Sequence, residues 1–250
     1  MGWIEGRRRW VWLSGLVFVA LLLTPVGVSG AVPVSSGDDV LIFVAHPDDD
    51  ILIAAGVIKE HVDAGGDVTV AFLTNGDRCE TPGQCSELDP DIGTVRQGEA
   101  VAAQSILGVA ENEITFLGYP NGFVDAVRYG FGLPPELAHT ETYASRGMGS
   151  TDWHDHRSGA GTQHASYTGT NMLSDVEALL DTSWLATYRP QHIFTHSPHD
   201  RHPDHRVTYL TLINAIEEVQ AADPSYQPYI HTTIVHVKDP DQWGLWLSLI

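Results

Sequence analysis

The sequence predicts an α/β fold: a mostly parallel sheet with helices on both faces. Three observations carry that prediction. Strand-like and helix-like segments alternate along the chain. The strand-like segments are nearly continuous apolar runs, as expected of strands covered on both faces. The richest clusters of His and Asp fall where such runs stop, at the sheet edge where ligands bind in these folds. With 250 residues, 43% of them apolar, the chain can bury a substantial core and is not disordered.

The elements follow in order. Residues 40–45 (VLIFVA) form a strand that stops at His46-Pro47. Apolar residues at helical spacing from Ile51 to Ala64 predict a helix, ended by Gly65-Gly66. A second strand, Val68 to Leu73, is closed by Asn75-Gly76. Thr94 to Leu107 reads as a helix and Glu113 to Leu117 as a short strand. From Tyr119 to Thr170 the pattern dissolves into Gly, His, Asp and aromatic residues. Such length without periodicity predicts a functional lid or rim, assigned to residues 121–170. A helix from Asn171 to Ala186, a strand from Gln191 to Thr195, a helix from Asp204 to Ala221 and a strand from Thr232 to Val237 complete the series. Right-handed crossovers then collect the strand-to-helix loops at one edge of the sheet.

The first thirty residues differ in kind. Arg7, Arg8 and Arg9 precede an apolar run from Trp10 to Leu23, and small residues surround Gly30-Ala31. Residues 1–30 therefore read as a signal peptide ahead of one domain, 31–250, in an exported protein. The alternative is an uncleaved anchor, the one route to a membrane. Cys79 and Cys85, a close pair in an exported chain, are expected to form a disulfide. The formal charge is −19, with Lys59 and Lys238 the only lysines. Such a surface repels nucleic acid and anionic membranes. It fits either an acidic exoprotein or one adapted to high salt.

Two motifs carry chemistry. His46-Pro47-Asp48-Asp49-Asp50 sets three carboxylates beside a histidine, which calls for a cation or strong hydrogen bonding. Taken alone it fits a divalent metal or an Asp-rich helix N-cap equally well. Residues 196–205 (HSPHDRHPDH) place four histidines and two aspartates at a strand end, and imidazole suits zinc. Together the motifs supply three ligands, His46, Asp49 and His205, and leave a position for water on one zinc per chain. Zinc lowers the pKa of its water toward ~7. Asp48 would accept the proton as the nucleophile attacks an amide carbonyl. His202, if protonated, would stabilise the oxyanion or protonate the leaving amine. Asp200 or Asp204 would orient a histidine.

The strand followed by Ala45-His46-Pro47-Asp48-Asp49, with His202-Pro203-Asp204-His205 far downstream, resembles the PIG-L (LmbE-like) deacetylases. Residues 73–77 (LTNGD), 96–99 (RQGE) and 116–122 (FLGYPNG) extend the resemblance, which runs from about Val40 to about Leu210. It implies a Rossmann-like three-layer sandwich and zinc-dependent removal of acyl groups from N-acetylglucosaminyl compounds. It also implies zinc on His46, Asp49 and His205, Asp48 as general base and His202 assisting. Two positions depart from the family pattern. Asp50 stands where Glu is usual, altering any contact it makes behind the ligands, and Asn121 stands where Asp is frequent.

Arg78 and Arg96 are candidates for the substrate rim, because cations are scarce in this chain. Trp153 could stack on a sugar, and His154, His156 and His164 lie in the same irregular segment. The expected function is a secreted zinc-dependent hydrolase that removes an N-acyl group, foremost N-acetyl, from an amino sugar or its conjugate. The alternatives are a metal-dependent amidase on a non-sugar acyl amide and a carbohydrate-binding protein without catalysis. A pure binding protein has no use for Asp48. Calcium is a poor fit, since it prefers oxygen ligands.

Overall fold

The computed structural model describes residues 33–79, 88–130, 146–147, 167–180 and 189–237. The elements are β1 (Val40–Val44), α1 (Asp49–Asp63), β2 (Val68–Thr74), α2 (Pro90–Leu107), β3 (Ile114–Tyr119) and α3 (Val124–Tyr129), then β4 (Arg146–Gly147), α4 (Gly169–Leu180), β5 (His192–His196), α5 (Pro203–Ala222) and β6 (Tyr229–Thr233). They form one sheet in the order β4-β3-β2-β1-β5-β6. Five strands are parallel, and only the two-residue β4 pairs antiparallel, against β3.

Alternation along the strands sorts the core onto two faces. Val40, Ile42, Val44, Val70 and Phe72 pack with Ala54 and Ile58 of α1 and Ala100 of α2. Leu41, Phe43, Ala71 and Leu73 pack on the other face with α3, α4 and α5 through Val124, Met172, Val176, Val207 and Leu212. The expected α/β three-layer sandwich is what forms. The chain builds outward from β1 through β2 to β3, then returns to the other side of β1 as β5 and β6. Strand order therefore reverses between β1 and β5, and the loops after these two strands face one crevice. Those loops carry the two His/Asp motifs.

Several boundaries differ from the sequence expectation, each for a local reason. Helix α2 begins four residues early because Asp89 caps it, accepting from the N–H groups of Asp91 and Ile92, with Pro90 in the first turn. Within the segment expected to be irregular, residues 124–129 form α3 and residues 146–147 form β4. Strand β6 lies three residues earlier than the β-branched run 232–237 suggests. The N–H groups of Val235 and His236 leave the ladder for the carboxylate of Asp200. The expected signal peptide, Cys85, Trp153, His154, His156, His164 and residues 181–186 of the helix predicted from Asn171 lie outside the described residues. Among the described residues no helix is long and apolar enough to cross a membrane.

Candidate metal centre

Strand β1 ends at Val44, and the chain turns at His46-Pro47 into α1. The backbone N–H of His46 donates to Asp49 Oδ2 at 2.9 Å, which folds the motif back on itself. From the other side of the crevice, the loop after β5 delivers His202 as the N-cap of α5 and His205 in its first turn. Three atoms converge there. His46 Nδ1 lies 3.1 Å from Asp49 Oδ2 and 3.3 Å from His205 Nε2, and those last two are 3.3 Å apart. Ligand atoms at zinc–ligand lengths on a tetrahedral ion sit about 3.3–3.5 Å from one another. The triangle thus has the dimensions of one face of such a site, and its atoms are two imidazole nitrogens and a carboxylate oxygen. Two overlapping groups around this triangle, His46/His202/His205 and Asp49/His196/His205, could each hold a metal ion.

Each histidine of the triangle is held from behind. His46 Nε2 lies 3.2 Å from Asp204 Oδ2, which also accepts the Gly122 N–H at 2.6 Å. His205 Nδ1 lies 3.2 Å from Asp200 Oδ2, and Asp200 accepts the N–H groups of His202, Val235 and His236. Two buried aspartates therefore fix the two rings, the arrangement typical of metal-bound histidines. Burial alone would lower the pKa of His46, but its contacts with Asp204 and Asp49 raise it to about 9. Burial opposes ionisation of Asp49, and the imidazoles packed around its carboxylate overcome it.

Asp48 stands apart. Its side chain is 63% exposed, and its backbone has φ 149°, the only non-glycine residue at positive φ among those described. It occupies the N-cap position of α1 yet makes no side-chain cap hydrogen bond. The carboxylate accepts instead from Arg96 Nη2 at 3.0 Å. Partial desolvation raises its pKa against the pull of Arg96. Arg96 also donates to the carbonyls of Pro47 and Gly76, tying the loops after β1 and β2 together. Gly76, at φ +65°, admits this approach, since a Cβ there would lie 2.3 Å from the guanidinium.

His202 sits edge-on to His46, with ring centroids 4.9 Å apart. Its Nδ1 accepts the Asp204 N–H, so the neutral ring carries its proton on Nε2. Burial and the charge on His46 lower its pKa to about 4. In its neutral form His202 therefore offers Nε2 as a hydrogen-bond donor. Asp50 turns away from the ligands; its carboxylate takes a hydrogen bond from Gln104 of α2. Asp77 is buried, accepts the Asn121 N–H and is raised to about 6 by that burial. Arg78 lies over Phe123. Cys79 is described, but the expected pairing depends on Cys85.

Sequence reasoning left His196 without a role. Its ring stacks on His205 at 3.7 Å and 18°, and its Nε2 accepts the Ala45 N–H. Its place as the last residue of a strand beside β1 was the available signal. His236, with its ring centroid 4.9 Å from that of His205, had none.

Residues 41–216 match the family described as GlcNAc-PI de-N-acetylase, PIG-L. The chain belongs to that family. A deacetylase of 1D-myo-inositol 2-acetamido-2-deoxy-alpha-D-glucopyranoside from Streptomyces avermitilis is 28% identical over 199 residues, covering 77% of this chain and 56% of its own. Its namesake from Rhodococcus erythropolis is 26% identical over 220 residues, covering 80% and 62%. The PIG-L chain described here thus spans less than two thirds of the length of either relative. Among solved structures, N,N'-diacetylchitobiose deacetylase from Pyrococcus horikoshii is similar at TM-score 0.44 and 20% identity, covering 84% of this chain and 67% of its own. A 4-carboxy-2-hydroxymuconate hydratase from Pseudomonas putida reaches the same TM-score and identity, covering 78% and 62%.

Proposed function

We propose that this PIG-L chain is a zinc-dependent hydrolase that removes the N-acetyl group of an amino sugar or its conjugate. The observation that carries the proposal is the triangle of His46 Nδ1, Asp49 Oδ2 and His205 Nε2 beside an exposed carboxylate, Asp48. Zinc, when bound, would supply a Lewis acid for the amide carbonyl and a water of lowered pKa. Asp48 is the general base; its raised pKa brings it closer to the operating range of a proton acceptor. Arg96 positions it, holding the carboxylate while fixing the Pro47 carbonyl. His202 presents an N–H to the developing oxyanion from a half-buried, neutral ring, and Asp204 and Asp200 keep His46 and His205 aimed at the ion. The relatives' names support an acetamido sugar as substrate. The basic-then-apolar run of residues 7–23 supports export.

The test is acetate release. Zinc-loaded protein incubated with N-acetylated amino sugars is expected to yield acetate and free amine in equal amounts, and dialysis against a chelator to abolish the yield. Turnover that persists at full rate after the metal has been removed contradicts the proposal.

A further inference from the structure

Two arginines project from the loops and helix beside the crevice, and they are used differently. Arg96 is engaged on three acceptors: the Gly76 carbonyl, the Pro47 carbonyl and the Asp48 carboxylate. Arg78, in the loop after β2, is exposed; its backbone bridges to Leu88, and its guanidinium makes no hydrogen bond or ion pair among the described residues. Its guanidinium nonetheless has a built seat. It lies over the Phe123 ring at 5.7 Å and against Gly122, where a Cβ would come within 2.3 Å of its Nη1. Gly122 has φ +82°, and a residue without a side chain is what lets the guanidinium rest on the backbone there. The same Gly122 donates its N–H to Asp204, which holds His46. Arg78 is thus seated beside the candidate metal centre, its donor fork without a partner among the described residues.

We infer that Arg78 binds an anionic group of the substrate, a phosphate or a carboxylate, so that the substrate class is an anionic N-acetyl amino sugar. The inference rests on the deacetylase reading and narrows it. A guanidinium offers paired N–H donors that match carboxylate and phosphate oxygens. The need is electrostatic as well: a chain of formal charge −19 repels anions, and a local cation at the crevice offsets that field. Packing against Phe123 and Gly122 restricts the side chain before the ligand arrives, which lowers the ordering cost of binding.

The experiment compares zinc-loaded wild type with Arg78→Ala and Arg78→Lys. The substrates are N-acetylglucosamine, its 1-phosphate and 6-phosphate esters, and N-acetylmuramic acid. The quantity read is the ratio of kcat/KM on each anionic compound to that on the neutral sugar. Arg78→Ala is expected to lower that ratio about 10- to 100-fold for at least one anion, the worth of a hydrogen bond to a charged group. The loss should appear in KM, and Arg78→Lys should recover part of it. The compound affected shows whether the anion is a phosphate or a carboxylate, and where it sits. Ratios unchanged within twofold for all three anions overturn the inference while leaving the deacetylase reading intact. If wild type releases acetate from none of the four, these simple sugars are not its substrates. Calorimetric binding of the three anions then decides the inference alone: weakening in Arg78→Ala supports it, and equal binding overturns it.

Discussion

Asp204 offers a quantitative handle on the metal centre, through the substitution Asp204→Ala. The carboxylate is fully buried, and Oδ2 serves both the Gly122 N–H at 2.6 Å and His46 Nε2 at 3.2 Å. Losing the partner behind a metal-bound histidine typically weakens metal binding 10- to 100-fold, about 1.4–2.7 kcal/mol. Losing the acceptor of a buried backbone N–H costs about 1–3 kcal/mol of folding stability. A second effect opposes the first at neutral pH. Asp204 helps raise His46 to about 9, so below that pH wild-type protein must expel a proton to bind metal. Removing Asp204 eases that competition. The predicted affinity gap between wild type and Asp204→Ala is therefore full above pH about 9 and shrinks toward neutrality. Chelator-competition titrations with zinc across pH 6–10 measure it, alongside urea unfolding of the metal-free forms. Asp204→Asn, which can still accept from Gly122, is expected to keep more of the stability than Asp204→Ala. Equal affinities for wild type and a folded Asp204→Ala at high pH would refute the argument that Asp204 orients His46.

Other predictions follow from single residues. Asp48→Gly relieves positive-φ strain of about 1–3 kcal/mol, so by urea unfolding it should be more stable than Asp48→Ala, while both lose acetate release. Asp77, raised to about 6 in the fold, keeps its proton where the unfolded chain has lost it, between about pH 4 and 6. Metal-free stability should therefore fall by up to about 3 kcal/mol as pH rises through that window and level off above it. Asp77→Asn, which retains an acceptor for the Asn121 N–H, should flatten the slope; an unchanged slope assigns it to other groups. His205→Ala should lose bound zinc by elemental analysis, whereas His202→Ala should retain it and lose turnover. Retained zinc in His205→Ala would remove that residue from the ligand set.

Much of the fold was legible because burial leaves a mark on composition. Every residue of β1 and β2 is buried; β1 reads as a continuous apolar run and β2 as one interrupted only by Thr69 and Thr74. What the chain hid was decided by contacts distant in sequence. The run 232–237 has strand composition, but Asp200, more than thirty residues earlier, captures the N–H groups of Val235 and His236 and ends β6 at Thr233. Helix α3 follows the turn at Pro120-Asn121-Gly122 and is six residues long, too short for periodicity to reveal. Around the metal, spacing pointed to His46, Asp49 and His205, which the fold brings together. It could not say that Asp204 serves His46 while Asp200 serves His205, because that pairing depends on how the first turn of α5 meets Gly122 and residues 235–236. Nor could it show that Arg96 is spent on Asp48 while the Arg78 guanidinium takes no partner among the described residues.

The most direct test of the account is acetate release by Asp48→Ala loaded with one zinc per chain. It separates the carboxylate proposed to perform the proton transfer from the residues proposed to hold the ion. The account predicts wild-type metal content, determined on the same sample, with turnover reduced at least about 100-fold. A zinc-loaded Asp48→Ala that deacetylates at the wild-type rate would contradict it.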